Sequence, residues 1–187
     1  MGYILDNYSE IIKACLKGNR AAQNRLYQLF ADKMYGVCLR YADSEDEAKD
    51  ILQDGFIKVF INLKQFNNKG SFEGWIRRII VNTALEKFRD KNYLFAVNME
   101  SEYDPNSNKY DHVLSELSAK DLLKLIQDLS PQYRTVFNLY AIEGYSHKEI
   151  CGMLKIKEGT SKSNLSRARE ILKEKVKKYY NVSVNWM

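Results

Sequence analysis

SHKEICGMLKIKEGTSKSNLSRAREILKEKVKKYY, residues 146–180, is the stretch whose reading decides the fold class. Its apolar residues recur at three- and four-residue spacing without a proline, which predicts helix with one interruption. Ser146 is a helix-start residue, and the short helix behind it carries Ile150 and Leu154 inward. The connection KIKEG, with Gly159 as its turn residue, leads to a second helix from about Thr160. Two helices joined this tightly form a helix-turn-helix, whose second member enters the DNA major groove. On that second helix Ser161, Leu165, Ala168 and Leu172 share an inward stripe. Ser163, Ser166 and Arg167 point the opposite way, flanked by Lys162, Arg169 and Lys173. Arg167 can reach a guanine as a bidentate donor, whereas Lys162, Arg169 and Lys173 suit phosphates, which position without specifying. A basic helix face can also be merely solvated. The Gly159 turn and the small Ala168 on the packing stripe favour the DNA reading.

The rest of the chain reads as helical too. Only 2 Pro and 9 Gly occur in 187 residues. Pro131 follows Ser130, a helix start with Ser as N-cap and Pro at the first helical position. Pro105 lies in NMESEYDPNSNKYD, residues 98–111, a polar run with no apolar period. The expected architecture is all-α: two small helical domains, 1–93 and 113–187, joined by a flexible linker, 94–112. The net charge of +5 divides along these lines. Residues 1–91 carry 15 basic and 12 acidic side chains, residues 92–111 carry 1 and 4, and residues 112–187 carry 13 and 8. Two basic modules flank an acidic tether, which points to an acidic partner such as nucleic acid. Cys15, Cys38 and Cys151 form no CxxC pair and only His112 and His147 accompany them, so no metal or cofactor site and no catalytic residue is expected. Unpaired thiols, no secretory leader and no long apolar run point to a cytoplasmic protein without membrane insertion.

The first domain contains a two-sided helix. In DEAKDILQDGFIKVFINLKQF, residues 46–66, Leu52, Phe56, Val59, Phe60 and Leu63 make a buried stripe. Asp50, Gln53, Asp54, Ile57 and Ile61 lie on the other side. Ile57 and Ile61 within an acidic and polar rim have the composition of a protein-binding surface, but a second core contact fits the pattern equally. Asn67, Asn68, Gly70 and Ser71 then mark a loop, with Lys69 among them and Phe66 and Phe72 at its ends. A helix begins near Ser71 with Trp75, Ile76, Ile79 and Ile80 at helical spacing and Arg77, Arg78, Asn82, Lys87, Arg89 and Lys91 outside. Aromatics among basic residues suit single-stranded nucleic acid. Phe66 and Phe72 are the stacking candidates, while Trp75 opens the apolar stripe and reads as core.

These residues carry a family resemblance. DILQDGFIKVF (50–60), then F-x-x-W-I-x-x-I-x-x-N (72–82) and Arg89, is similar to region 2 of bacterial RNA polymerase sigma factors of the extracytoplasmic-function class. LSPQYRTVFNLYAIEGYSHKEICGMLKIKEGTSKSNLSRAREIL (129–172) is similar to their region 4. The resemblance implies a non-enzymatic transcription-initiation factor with two partners, core RNA polymerase and promoter DNA, and an anti-sigma factor as a third. It assigns Asp50, Gln53, Asp54, Ile57 and Ile61 to core polymerase. Phe66, Asn67, Asn68, Lys69, Phe72, Arg77, Arg78, Asn82 and Arg89 go to the −10 element. Thr160, Lys162, Ser163, Ser166, Arg167, Arg169 and Lys173 go to the −35 element.

Departures from the family pattern are local. An extra Ser130 stands between Leu129 and Pro131. The common Gly-Thr-Val-Lys-Ser-Arg reads Gly159-Thr160-Ser161-Lys162-Ser163-Asn164, which puts a hydroxyl on the packing stripe and removes an Arg. The alternative is a stand-alone helix-turn-helix regulator whose first domain dimerises or senses a ligand. Such a regulator would bind duplex sites as a symmetric dimer, and the sequence offers no heptad seam.

Overall fold

A computed structural model describes residues 8–67, 69–94 and 119–180. Its described secondary structure is helical: α1 (Ser9–Leu16), α2 (Arg20–Tyr41), α3 (Glu45–Asn62), a 3-10 turn (Leu63–Gln65), α4 (Phe72–Leu94), α5 (Ala119–Gln127), α6 (Pro131–Phe137), a π-helical segment (Asn138–Ile142), α7 (His147–Leu154) and α8 (Glu158–Tyr180). The chain separates into two compact units between Lys87 and Phe88, inside α4. Most of the expected linker, residues 95–112, lies outside the described residues, as does Asn68.

Short polar side chains set where the helices begin. Asn19 accepts from Ala22 N at 3.0 Å ahead of α2, and Ser44 accepts from Glu47 N at 3.2 Å ahead of α3. Glu45, Asp46 and Glu47 then fill the first turn of α3, where the helix dipole favours negative charge. Ser71 starts α4 by accepting from Gly74 N at 3.0 Å, as the loop composition predicts. Ser146 starts α7 through a capping box with Glu149, each side chain bonding the other's backbone. Ser130 occupies the N-cap position of α6 with Pro131 at the first helical position, but its side chain makes no capping bond. The start of α6 therefore rests on proline's preset φ.

In the N-terminal unit the buried side chains are Leu26, Phe30, Met34 and Val37 of α2, Ile51, Leu52, Phe56 and Val59 of α3, and Ile76, Ile80 and Leu85 of α4, with α2 packed along α3. The predicted buried stripe of α3 is present, with Phe60 only half-buried. In the C-terminal unit Leu125, Ile126 and Leu129 meet Ala168, Leu172 and Val176. Buried Arg134 donates from Nη1 to Gln127 O at 3.0 Å, which places a cation on the last turn of α5 and ties α5 to α6.

The turn between α7 and α8 differs from its sequence reading. Its left-handed residue is Lys155, at φ 56°, whereas Gly159 already belongs to α8, which starts at Glu158. Glycine is the usual choice for such a C-cap, so the composition drew the turn four residues too late.

Candidate protein and nucleic-acid interfaces

The α3 stripe opposite the core holds Asp46, Asp50, Gln53, Ile57 and Ile61 at spacings of three and four, all exposed. Ile57 is 57% and Ile61 66% exposed, so neither makes a core contact within this unit. The stripe is acidic at its N-terminal end and apolar at its C-terminal end. Asp54 sits on its edge, half-buried, and pairs with Lys87 of α4 at 2.9 Å. One turn later the polarity reverses, with Lys58 of α3 paired to Glu86 of α4.

Between α3 and α4, the rings of Phe66, Phe72 and Trp75 form one cluster with Phe30 and Tyr8. Phe66 lies 4.9 Å from Phe72 and 5.6 Å from Trp75, and Trp75 stacks on Phe72 at 5.8 Å and 12°. Phe72 also meets Phe30 edge-on at 5.7 Å and Tyr8 at 5.9 Å. Phe72 is only 5% exposed, which corrects its assignment as a base-stacking residue: four rings already occupy its faces and edges. Trp75, expected in the core, is half-buried on the rim beside Phe66. Phe66, Trp75 and Tyr8 are the half-buried rings of the cluster, and Phe30 and Phe72 the buried ones. Outside them Asn67 and Lys69 are exposed, Asn67 Oδ1 accepting from Lys69 N at 3.2 Å, and Gly70 takes the positive φ that closes the loop. On α4, Arg78, Asn82 and Arg89 share one exposed stripe, while Arg77 is half-buried.

On α8 the inward stripe is Ser161, Leu165, Ala168, Leu172 and Val176, as the spacing predicts. Thr160, Lys162, Arg167 and Arg169 are exposed, and Ser166 and Lys173 half-buried. Ser163 corrects its placement on the open side. It is 8% exposed, and its hydroxyl donates back to Thr160 O at 3.1 Å. Helical periodicity assumes one inward face, whereas α8 packs on both α6 and α7, and a helical serine readily bonds its own backbone. Asn164, where the family pattern has Arg, is also buried. Lys162 pairs with Glu158 at 2.8 Å and Arg167 with Glu170 at 2.9 Å. Exposed pairs at this spacing contribute at most about 0.5 kcal/mol, so phosphate or guanine can replace the carboxylate.

Sequence reasoning missed the cluster behind this helix. His147, the first residue of α7, has Nδ1 2.9 Å from Ser161 Oγ and stacks on Tyr140 at 4.5 Å. Arg169 lies over the same tyrosine, 5.7 Å from its centroid. Burial first, then Lys162 and Arg169, hold the His147 imidazole below its ordinary 6.5, with Glu158 opposing them. The unfolded chain therefore binds this proton more readily than the folded one. The stability His147 contributes is complete above pH 6.5 and is lost as pH falls through its folded value. Thermal unfolding followed by circular dichroism should show the midpoint gap between the chain and its H147F variant narrowing from pH 7.5 to 5.5.

Burial pushes the Cys38 thiol up to about 12, so it stays protonated and unreactive at neutral pH. Among the described residues no group of three His, Cys, Asp or Glu is placed to hold a metal, and no helix is long and apolar enough to cross a membrane.

Residues 26–93 match the family described as sigma-70 region 2, and residues 119–172 the one described as sigma-70, region 4. The chain is 30% identical over 183 residues to the "ECF RNA polymerase sigma-E factor" of Escherichia coli, covering 89% of this chain and 92% of that protein. It is 28% identical over 177 residues to "ECF RNA polymerase sigma factor SigW" of Bacillus subtilis, covering 89% and 95%. With "ECF RNA polymerase sigma factor SigE" of Mycolicibacterium smegmatis it shares 32% identity over 171 residues, 87% of this chain and 65% of that protein. A solved structure of the sigma factor RpoE in complex with the anti-sigma factor NepR, from Bartonella quintana, has the same fold at a TM-score of 0.51. It is 22% identical and covers 82% of this chain and 96% of that one.

Proposed function

This chain belongs to the extracytoplasmic-function class of RNA polymerase sigma factors, and on that premise we propose which of its surfaces serves each partner. As a sigma factor it is no enzyme: it binds core RNA polymerase and directs it to promoters. The α3 stripe, with Asp50, Gln53, Asp54, Ile57 and Ile61, is the polymerase-binding surface. Asn67, Asn68, Lys69 and the rim rings Phe66 and Trp75 receive an unstacked base of the −10 element, and Arg77, Arg78, Asn82 and Arg89 of α4 track its backbone. Thr160, Lys162, Ser166, Arg167, Arg169 and Lys173 of α8 serve the −35 element. The domains run 1–93 and 113–187 with residues 94–112 as linker, and the protein works in the cytoplasm beside polymerase. An anti-sigma factor is its expected regulator, the kind of partner in the Bartonella quintana complex.

The observation that carries this reading is the pair of uncovered isoleucines in an acidic rim on α3, within a segment that matches sigma-70 region 2. A core packing role would have hidden them. Opening DNA then needs no nucleotide hydrolysis, because capture of a flipped base offsets an unstacking cost of about a few kcal/mol. Reconstitution with core polymerase tests the whole. A stable complex that initiates from a subset of promoters in a genomic library is expected, and absence of either would refute the proposal.

The two roles on α8 separate by substitution. Arg167→Ala should relax −35 discrimination by about 1 to 3 kcal/mol, while Lys173→Ala should weaken all sequences alike and lower the salt slope by about one. Competition binding with matched and scrambled −35 duplexes at several salt concentrations decides between them, and equal losses for both variants contradict the division.

A further inference from the structure

The buried face of α8 contains a polar residue that its surroundings do not call for. Ser161 is fully buried in a stripe otherwise made of Leu165, Ala168, Leu172 and Val176. A buried hydroxyl needs a partner, and His147 Nδ1 is 2.9 Å away, on a different helix. The imidazole is itself held flat against Tyr140 of the π-helical segment, at 4.5 Å and 25° between planes. Tyr140 in turn carries the Arg169 guanidinium on its ring, at 5.7 Å. The series Ser161, His147, Tyr140 and Arg169 thus leaves α8, passes through two other elements, and returns to α8 about two turns further on.

An apolar stripe alone resists separation of two helices, but it lets one roll upon the other by a fraction of a residue. A directional hydrogen bond at one end and a ring contact at the other remove that freedom. Thr160, Ser166 and Arg167 project from the same two turns, and a small roll would move each of them off its base edge. From this geometry we infer that His147 is a positioning residue for −35 recognition: through Ser161 and Tyr140 it fixes the rotation of α8 and so decides which side chains meet the bases. The inference rests on the reading of α8 as the recognition helix.

The test uses the full chain with core polymerase and a duplex library randomised across both promoter elements, selected by binding and sequenced. H147F keeps a ring on Tyr140 and loses the hydrogen bond, and S161V removes the hydroxyl that needs it. H147F is expected to flatten the upstream motif, lowering the enrichment of the best sequences about tenfold while the downstream motif stays as in the parent. The salt slope should change little, because the long flexible side chains of Lys162, Arg169 and Lys173 can follow their phosphates through a small roll while the shorter base-edge contacts cannot. Adding S161V to H147F should restore upstream enrichment to within about threefold of the parent. An unchanged upstream motif in H147F, equal decline of both motifs, a reduced salt slope, or a double variant no better than H147F overturns the inference. A parent chain that enriches only a downstream motif overturns instead the reading of α8 on which it rests.

Discussion

Ile57→Glu is expected to weaken binding to core RNA polymerase by roughly 30- to 1000-fold while leaving the chain as stable as the parent. At 57% exposure Ile57 supports no internal packing, and surface substitutions of this kind usually move stability by less than about 0.5 kcal/mol. The loss arises in the complex. A few well-packed side chains at the centre of an interface carry most of its energy, about 2 to 4 kcal/mol each when truncated. A carboxylate there adds an unpaired charge that cannot be desolvated. Ile61→Glu, one turn along the same stripe, should behave alike. Leu29→Glu supplies the control. Leu29 is comparably exposed, at 48%, but lies on α2 and not in the α3 stripe, so its variant should bind as the parent does. Fluorescence anisotropy with labelled chain and core polymerase measures all three. Normal binding by Ile57→Glu, or equal loss in Leu29→Glu, would mean that polymerase does not dock on α3.

Sequence periodicity located this surface, but it could not say whether Ile57 and Ile61 were covered. A helix with apolar residues on two sides fits a bundle core and an interface equally, and only the packing of the neighbouring helices separates them. The starts of α4 and α7 were legible because a cap depends on one side chain and the next turn of backbone. Three other features were not, each for a non-local reason. Phe72 carries the same ring as Phe66, and what withdraws it from the loop is contact with Phe30 and Tyr8, far away in sequence. Ser163 lies opposite the packing stripe by angle, yet α8 is flanked by α5, α6 and α7 rather than by one element. Ser161 looked like a defect on an apolar stripe because its partner, His147, is 14 residues away on another helix. A polar residue on a packing stripe was itself the available signal: it asks for a partner, and only two histidines were present to answer.

Gly55→Val should destabilise the N-terminal unit by about 3 kcal/mol, through the crossing of α3 and α4. Glycine inside a helix costs about 1 kcal/mol relative to alanine, so its presence at position 55 calls for a packing reason. A Cβ built there would stand 2.4 Å from Ile80 Cδ1, 3.5 Å from Cγ1 and 3.6 Å from the Ile80 Cα. The two backbones therefore approach closely, with the fully buried Ile80 lying across the glycine. Alanine displaces only the terminal methyl of Ile80, and its better helix propensity offsets much of that strain, so Gly55→Ala should be close to neutral. Valine's two γ carbons also meet Cγ1 and the α4 backbone, which must move in a close-packed core, at the upper end of the usual overpacking cost. Such a shift would also strain the Asp54–Lys87 and Lys58–Glu86 pairs on either side of the crossing. Ile80→Ala alone should cost about 2 to 5 kcal/mol by leaving a cavity. In the double variant valine fills part of that space, so the two costs should fall short of their sum by at least about 1 kcal/mol. Urea unfolding of the four chains supplies the cycle. Strict additivity would show that the glycine is not there to admit Ile80.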